Sequence, residues 1–351
     1  MIARRGVGLS VLVLVFAASD WLAAQAPPTK APPPPGAKGA PPPAAKGAPP
    51  PTAKGAPPAA AKAPPGKGPK IPEPEDVSLE TKDGVTLKAT YYGGFNKKES
   101  VPVILIHGWE GTRGEYHTLA LGLQAKGNAV IAPDLRGHGQ SLVQKHADGT
   151  TKELDPEKFR QAELDAMVLD IEACKKFLME KNNQGELNIN ALCVVGADFG
   201  CILALRWSAL DLTAPPLLAF KQGQDVKAIV LLTPMQTFKG LNYREALSVP
   251  ALRSELSMMI AAGKQDSKGS AEAKRLYNSL HNLHAKVNED DPEEVKKKKD
   301  LFLVQPETSL TGTKLLGSGL PVALNVRNFI EFRLVNKMAE FPWTDRKRGA
   351  D

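Results

Sequence analysis

Six apolar runs set the limits on how this chain can fold: VPVILIHG, NAVIAPDL, ALCVVGAD, VKAIVLLTP, ELSMMIAAG and DLFLVQPE. Each is apolar almost throughout, without the alternation that a strand with one wet face would show. Continuous runs of this kind are expected of parallel strands covered on both faces. Most are separated by stretches with helical spacing, near Glu115–Lys126, Pro156–Glu180, residues 199–210, residues 270–285 and from about Pro321. Ahead of them, VSLETKDGVTLKATYY alternates about Asp83–Gly84 and reads as a β-hairpin. An antiparallel pair followed by six strands interleaved with helices predicts an α/β fold: an eight-stranded, mostly parallel sheet wrapped on both faces. In such sheets functional groups gather at the carboxyl ends of the strands.

The amino-terminal part cannot join that core. Arg4 and Arg5 precede the apolar run VGLSVLVLVFAA, which is followed by AAQA. A basic start, a short apolar segment and an Ala-x-Ala site predict a signal peptide over residues 1–26, and hence export to the periplasm or cell envelope. Residues 27–70 are almost wholly Pro, Ala, Gly and Lys, with Lys38, Lys46, Lys54 and Lys62 eight residues apart. Nothing there is large and apolar enough to form a core, so a Pro/Ala/Lys/Gly-rich disordered linker is expected. In polyproline II form its 44 residues reach roughly 130 Å, and its lysines suit an anionic envelope surface.

Residues 1–70 carry nine Lys/Arg against one Asp, while the whole chain is only +7. The remaining residues, 71–351, are therefore near neutral, and global charge makes no case for nucleic-acid binding. The run Lys296–Lys299 lies just after EDDPEE and reads as a self-compensating surface loop. Length suits one domain. The three cysteines, Cys174, Cys193 and Cys201, are too few for a disulfide framework and read as buried small hydrophobes. No motif calls for a metal or a cofactor.

Three landmarks stand at successive strand ends: ILIHGWEG, APDLRGHGQS and VGADFG. Together they resemble the α/β-hydrolase superfamily, especially its compact lysophospholipase- and aminopeptidase-like bacterial members, over residues of about 76 to 335. Many relatives insert a helical lid between the strands LLTP and ELSMMIAAG. Only about 20 residues separate them here, so no substantial lid and an open site are expected.

The resemblance implies a nucleophile at a sharp strand-to-helix turn, an acid after a later strand and a histidine after the last strand. Gly196 and Gly200 match the small residues flanking the nucleophile position, but the residue between them is Asp198. The acid position falls on Asp266. Where relatives have His-Gly-Thr, this chain has Thr311-Gly312-Thr313, so Thr311 takes the place of the histidine. Threonine cannot take and return a proton near neutral pH as imidazole does. The oxyanion hole would be formed by backbone N–H groups near Trp109 and Phe199. His107 and His138 fall in turns that are structural in relatives, His117 and His146 on a helix and a polar loop, and His281 and His284 on the helix after Asp266.

Haloalkane dehalogenases and epoxide hydrolases use an aspartate at the nucleophile position, and histidine-activated water then hydrolyses the ester formed. This chain departs from them at Glu110, where proline is usual, and at Phe199, where dehalogenases have a tryptophan. The competing expectation is that Asp198 caps the following helix through its carboxylate. Three functions follow. The first is an exported protein of this fold that has lost its chemistry and binds a small molecule or envelope polymer. The second is an active hydrolase of esters, epoxides or alkyl halides using Asp198, with His281 or His284 recruited as base. The third is a structural envelope protein tethered by its tail. The sequence does not define the oligomeric state.

Overall fold

The computed structural model describes residues 70–215 and 221–346. The chain divides into two units, Met1–Gly68 and Pro69–Asp351. The expected signal peptide and nearly all of the linker lie outside the described residues.

The hairpin forms as β1 (Glu75–Glu80) and β2 (Val85–Tyr92), turning at Asp83–Gly84, with Leu79 opposite Leu87. The six apolar runs become β3 (Pro102–Ile106), β4 (Ala129–Pro133), β7 (Leu192–Ala197), β8 (Val226–Leu232), β11 (Ser257–Ala261) and β12 (Leu301–Val304). They lie in the order β12-β11-β8-β7-β3-β4, all parallel, and β2 joins antiparallel at the β4 edge. The sheet has ten strands rather than eight. The two extra are a polar hairpin, β5 (Val143–Lys145) and β6 (Thr151–Glu153), which extends the β2 edge.

The parallel strands bury both faces, and successive residues serve opposite cores. Val103 and Leu105 pack with α1 (His117–Gln124) and α8 (Val322–Arg333). Ile104 and Ile106 pack with α3 (Val168–Asn183) and α4 (Phe199–Leu212) on the other side. Period-two alternation of apolar with apolar is the reason these runs read as continuous. Cys174, Cys193 and Cys201 are free and buried within these layers.

Three expectations need correction. The helix expected over Pro156–Glu180 is broken into a 3₁₀ turn, the short α2 (Gln161–Asp165) and α3. The helix expected over 270–285 starts earlier, as α6 (Ser267–Leu280). The lysine run is not loop but α7 (Pro292–Lys298): Asp291 accepts hydrogen bonds from the Glu293 and Glu294 N–H groups, and Pro292 stands at the first helical position.

Among the described residues no substantial lid is present. The 24 residues between β8 and β11 form a hairpin of β9 (Thr237–Phe238) and β10 (Leu241–Asn242), a 3₁₀ turn and the short α5 (Pro250–Ser254). Among the described residues no helix is long and apolar enough to cross a membrane.

Candidate active site at the strand ends

The chain crosses from β7 into α4 through Asp198, whose backbone lies at φ 48° and ψ −114°. A side chain held there costs about 1–3 kcal/mol and persists only when its surroundings impose it. Here they do. A Cβ on Gly196 would lie 2.5 Å from the Gly200 carbonyl oxygen, and one on Gly200 would lie 2.5 Å from that of Ile106. Backbone therefore meets backbone on both sides of the turn, and only glycine fits.

This geometry decides whether the carboxylate caps the helix. Asp198 stands at the cap position of α4, yet its side chain accepts no hydrogen bond from the helix N–H groups. The cap expected from residue type is not formed: the backbone lies far from the extended conformation that a capping residue ordinarily adopts. The carboxylate lies instead among glycines: a Cβ on Gly312 would fall 1.9 Å from Asp198 Oδ2, and one on Gly108 3.2 Å from it. Burial, reinforced by the negative charges of Glu115 and Asp266 and opposed by Lys314, pushes the Asp198 carboxyl up to about 6.

Two features that the sequence did not reveal hold this arrangement. Thr233 directly follows β8 at φ 53°, rare for a β-branched residue. Its Oγ1 accepts the Gly312 N–H at 2.9 Å and its own N–H donates to the Ala261 carbonyl at 2.6 Å, so it ties the final loop to the strand ends. Glu115, in a 3₁₀ turn over Arg113–Tyr116, accepts a hydrogen bond from Thr313 Oγ1 at 2.6 Å.

Asp266 lies at the entrance to α6 and likewise makes no side-chain cap; its carboxylate packs against Gly269. Thr311 is half-buried just before Gly312, and its side chain caps nothing either. The structure thus gathers Asp198, Asp266 and the Thr311–Gly312 segment at one end of the sheet. The N–H of Phe199 belongs to the first turn of α4, where such groups have no partner within the helix. The Trp109 ring stands edge-on to Phe199 at 5.2 Å.

No histidine is delivered to this group. His107 donates from Nδ1 to the Gly108 carbonyl at 2.6 Å, and its Nε2 accepts the Leu135 N–H at 3.0 Å. Both nitrogens are committed, and burial lowers its pKa to about 4. His138 bonds the Arg136 carbonyl through Nδ1 and lies edge-on between Trp109 and His107. His117 bonds the Tyr92 hydroxyl. His281 stacks on Tyr277. His284 is buried 3.1 Å from Asp300, beside the amino end of β12 and so at the opposite end of the sheet from Asp198. Neither of the histidines offered as a recruited base is placed to serve. Among the described residues, no group of three His, Cys, Asp or Glu side chains is arranged to hold a metal ion.

A strand-end site entered through a glycine-flanked elbow defines a class, and comparison with known proteins gives the same one. Residues 101–325 match the family model of the alpha/beta hydrolase fold. The chain belongs to that family. Among solved structures it is similar to an esterase from Pyrococcus furiosus, with 17% identity over 75% of this chain and 92% of that one, at a TM-score of 0.52. It is also similar to EstE1, a thermostable carboxylesterase cloned from a metagenomic library, with 14% identity over 76% of this chain and 90% of that one, at a TM-score of 0.50. At such identities the likeness is one of fold. No curated protein matches the chain.

Proposed function

We propose that this protein is exported to the cell envelope and uses its hydrolase frame to bind a ligand rather than to turn it over. The observation that carries this reading is the company kept by Asp198. The charged groups acting on it are Glu115, Asp266 and Lys314, and no histidine is among them. Hydrolysis on this frame needs a group that takes a proton from the nucleophile or water and returns it to the leaving group. Threonine at position 311 does neither. Loss at both positions removes the chemistry while the elbow, the glycines and the open strand ends remain. The amino-terminal pattern supports export, and the proline-lysine tract supports a tether to an anionic surface.

A second reading is favoured by one observation: the Asp198 carboxylate is held at the elbow without a cap bond. A carboxylate so placed can attack an alkyl halide, forming a C–O bond as the carbon–halogen bond breaks and halide leaves. Without a base to activate water, the resulting ester persists and the chain reacts once.

The test incubates the full chain with short esters, an epoxide and a haloalkane, following product release and intact mass beside an Asp198→Ala variant. No turnover and no adduct is the expected result. A single adduct on Asp198 establishes the second reading. Turnover that disappears in the variant overturns the first.

A further inference from the structure

At the opposite end of the sheet from Asp198, the carboxyl-terminal segment lies in a groove built from asparagines. Residues 341–346, FPWTDR, follow a 3₁₀ helix over Val335–Glu340 and form neither helix nor strand. Side chains hold their main chain. Asn188 donates to the Phe341 carbonyl at 2.6 Å, Asn190 to that of Pro342 at 2.7 Å and Asn182 to that of Thr344 at 3.0 Å. Asn183 accepts the Arg346 N–H at 2.9 Å. Asn182 and Asn183 end α3, and Asn188 and Asn190 stand just before β7. Their neighbours fix them: Asn182 Oδ1 accepts the Ile189 N–H at 3.0 Å, and Asn188 Oδ1 the Asn190 N–H at 3.1 Å. The amides are therefore positioned by the domain itself, independently of the segment laid across them.

Two side chains of the segment have seats of their own. The buried Arg346 guanidinium pairs with Asp225 and donates to Asn190 Oδ1 at 2.8 Å and to the Lys221 carbonyl. Asp225, wholly buried just before β8, is shared with Lys175 and Lys221. The Lys98 ammonium stands 3.6 Å from the centroid of the Trp343 ring.

An amide that reads a carbonyl reads no sequence, since every residue presents one. Arginine is selected, because its planar fork meets a carboxylate, an amide oxygen and a carbonyl at once. None of these bonds belongs to a helix or a sheet, so releasing the segment unzips no element. We propose that the groove is a peptide-recognition site, taking an extended segment of a partner protein in which arginine follows an aromatic residue by three positions. The chain's own end holds it closed. The site lies at the amino ends of β7 and β8 and is independent of what binds at Asp198.

The test uses fluorescently labelled FPWTDR, amidated at its end, and its counterpart with alanine for arginine, read by anisotropy against the full chain. Wild type is expected to bind neither at micromolar concentration, because its own end competes at an effective concentration on the order of millimolar. Arg346→Ala loosens that end. It is expected to bind FPWTDR at least about tenfold more tightly than wild type does, as removal of one buried charge partner implies, and to ignore the alanine peptide. FPWTDR should also raise the thermal midpoint of the variant and leave that of wild type unchanged. Trp343→Ala keeps the buried ion pairs and repeats the comparison if Arg346→Ala does not fold; a severalfold gain is expected there. Equal binding of the two peptides, or no gain over wild type in a folded variant, overturns the inference and leaves the segment a fixed part of the fold. Wild-type dimers that the peptide dissociates in sedimentation would assign the groove to the end of a second copy and overturn the foreign partner.

Discussion

Replacing Asp198 by Asn keeps the side chain's size and its tolerance of a positive φ while removing the charge. In the folded chain this carboxyl titrates at about 6 against an ordinary value of 3.8, chiefly through burial, with Glu115 and Asp266 adding to the effect. The folded state then holds the proton more tightly than the unfolded state does. Its stabilising contribution is complete below the unfolded value and is lost as pH rises from about 3.8 through about 6. A shift of about two pH units corresponds to about 3 kcal/mol. The side chain is only partly buried, and solvent screening discounts this to about 1–2 kcal/mol. Asp198→Asn should therefore be more stable than wild type by about 1–2 kcal/mol at pH 8, with most of the gap closed at pH 4. Urea unfolding at the two pH values measures it. The difference between the chains isolates this group, because both share the other carboxyls raised by desolvation, such as Asp170 and Glu172. A variant less stable than wild type at pH 8 would show that the carboxylate has a stabilising partner, and the uncapped elbow would be wrong.

Three further outcomes follow from contacts at and beyond the site. Gly312→Ala places a Cβ 1.9 Å from Asp198 Oδ2 at a φ of +53°. It should cost about 2–3 kcal/mol by thermal unfolding, falling to about 1 in an Asp198→Ala background, where only the backbone strain remains. Arg346 joins buried Asp225 and donates to the Lys221 carbonyl and Asn190, fastening the carboxyl-terminal segment; Arg346→Ala should cost about 2–4 kcal/mol in urea. His107→Ala should cost about 2–3 kcal/mol at pH 7.5 by losing both ring hydrogen bonds. That cost should shrink as pH falls from 6.5 towards 4, since the folded ring resists protonation until about 4.

What could be read in advance divides along physical lines. The six core strands were legible because burial on both faces demands an unbroken apolar run, and the first hairpin because Asp83–Gly84 punctuates an alternating pattern. The β5–β6 hairpin was not, since Val143–Lys145 and Thr151–Glu153 bury no face and so carry no periodic signal. The helix α7 did carry one, Asp291 before Pro292, which the charge run obscured. At the site, the crowded elbow was visible in Gly196 and Gly200. The failed cap was not, because residue type predicts a cap only for ordinary backbone angles. Thr233 and Glu115 escaped notice for a different reason. They act on segments about 80 and about 200 residues away, and no local pattern encodes such a partner.

On the function proposed above, the hydrolase frame is intact and the chemistry is missing from it. The measurement that addresses it most directly compares hydrolysis of a short activated ester by the wild-type chain and by Asp198→Ser/Thr311→His. We expect no turnover above buffer from wild type and measurable turnover from the double variant, with a pH dependence near the ordinary histidine value. Turnover by wild type that is lost in Asp198→Ala would contradict the claim.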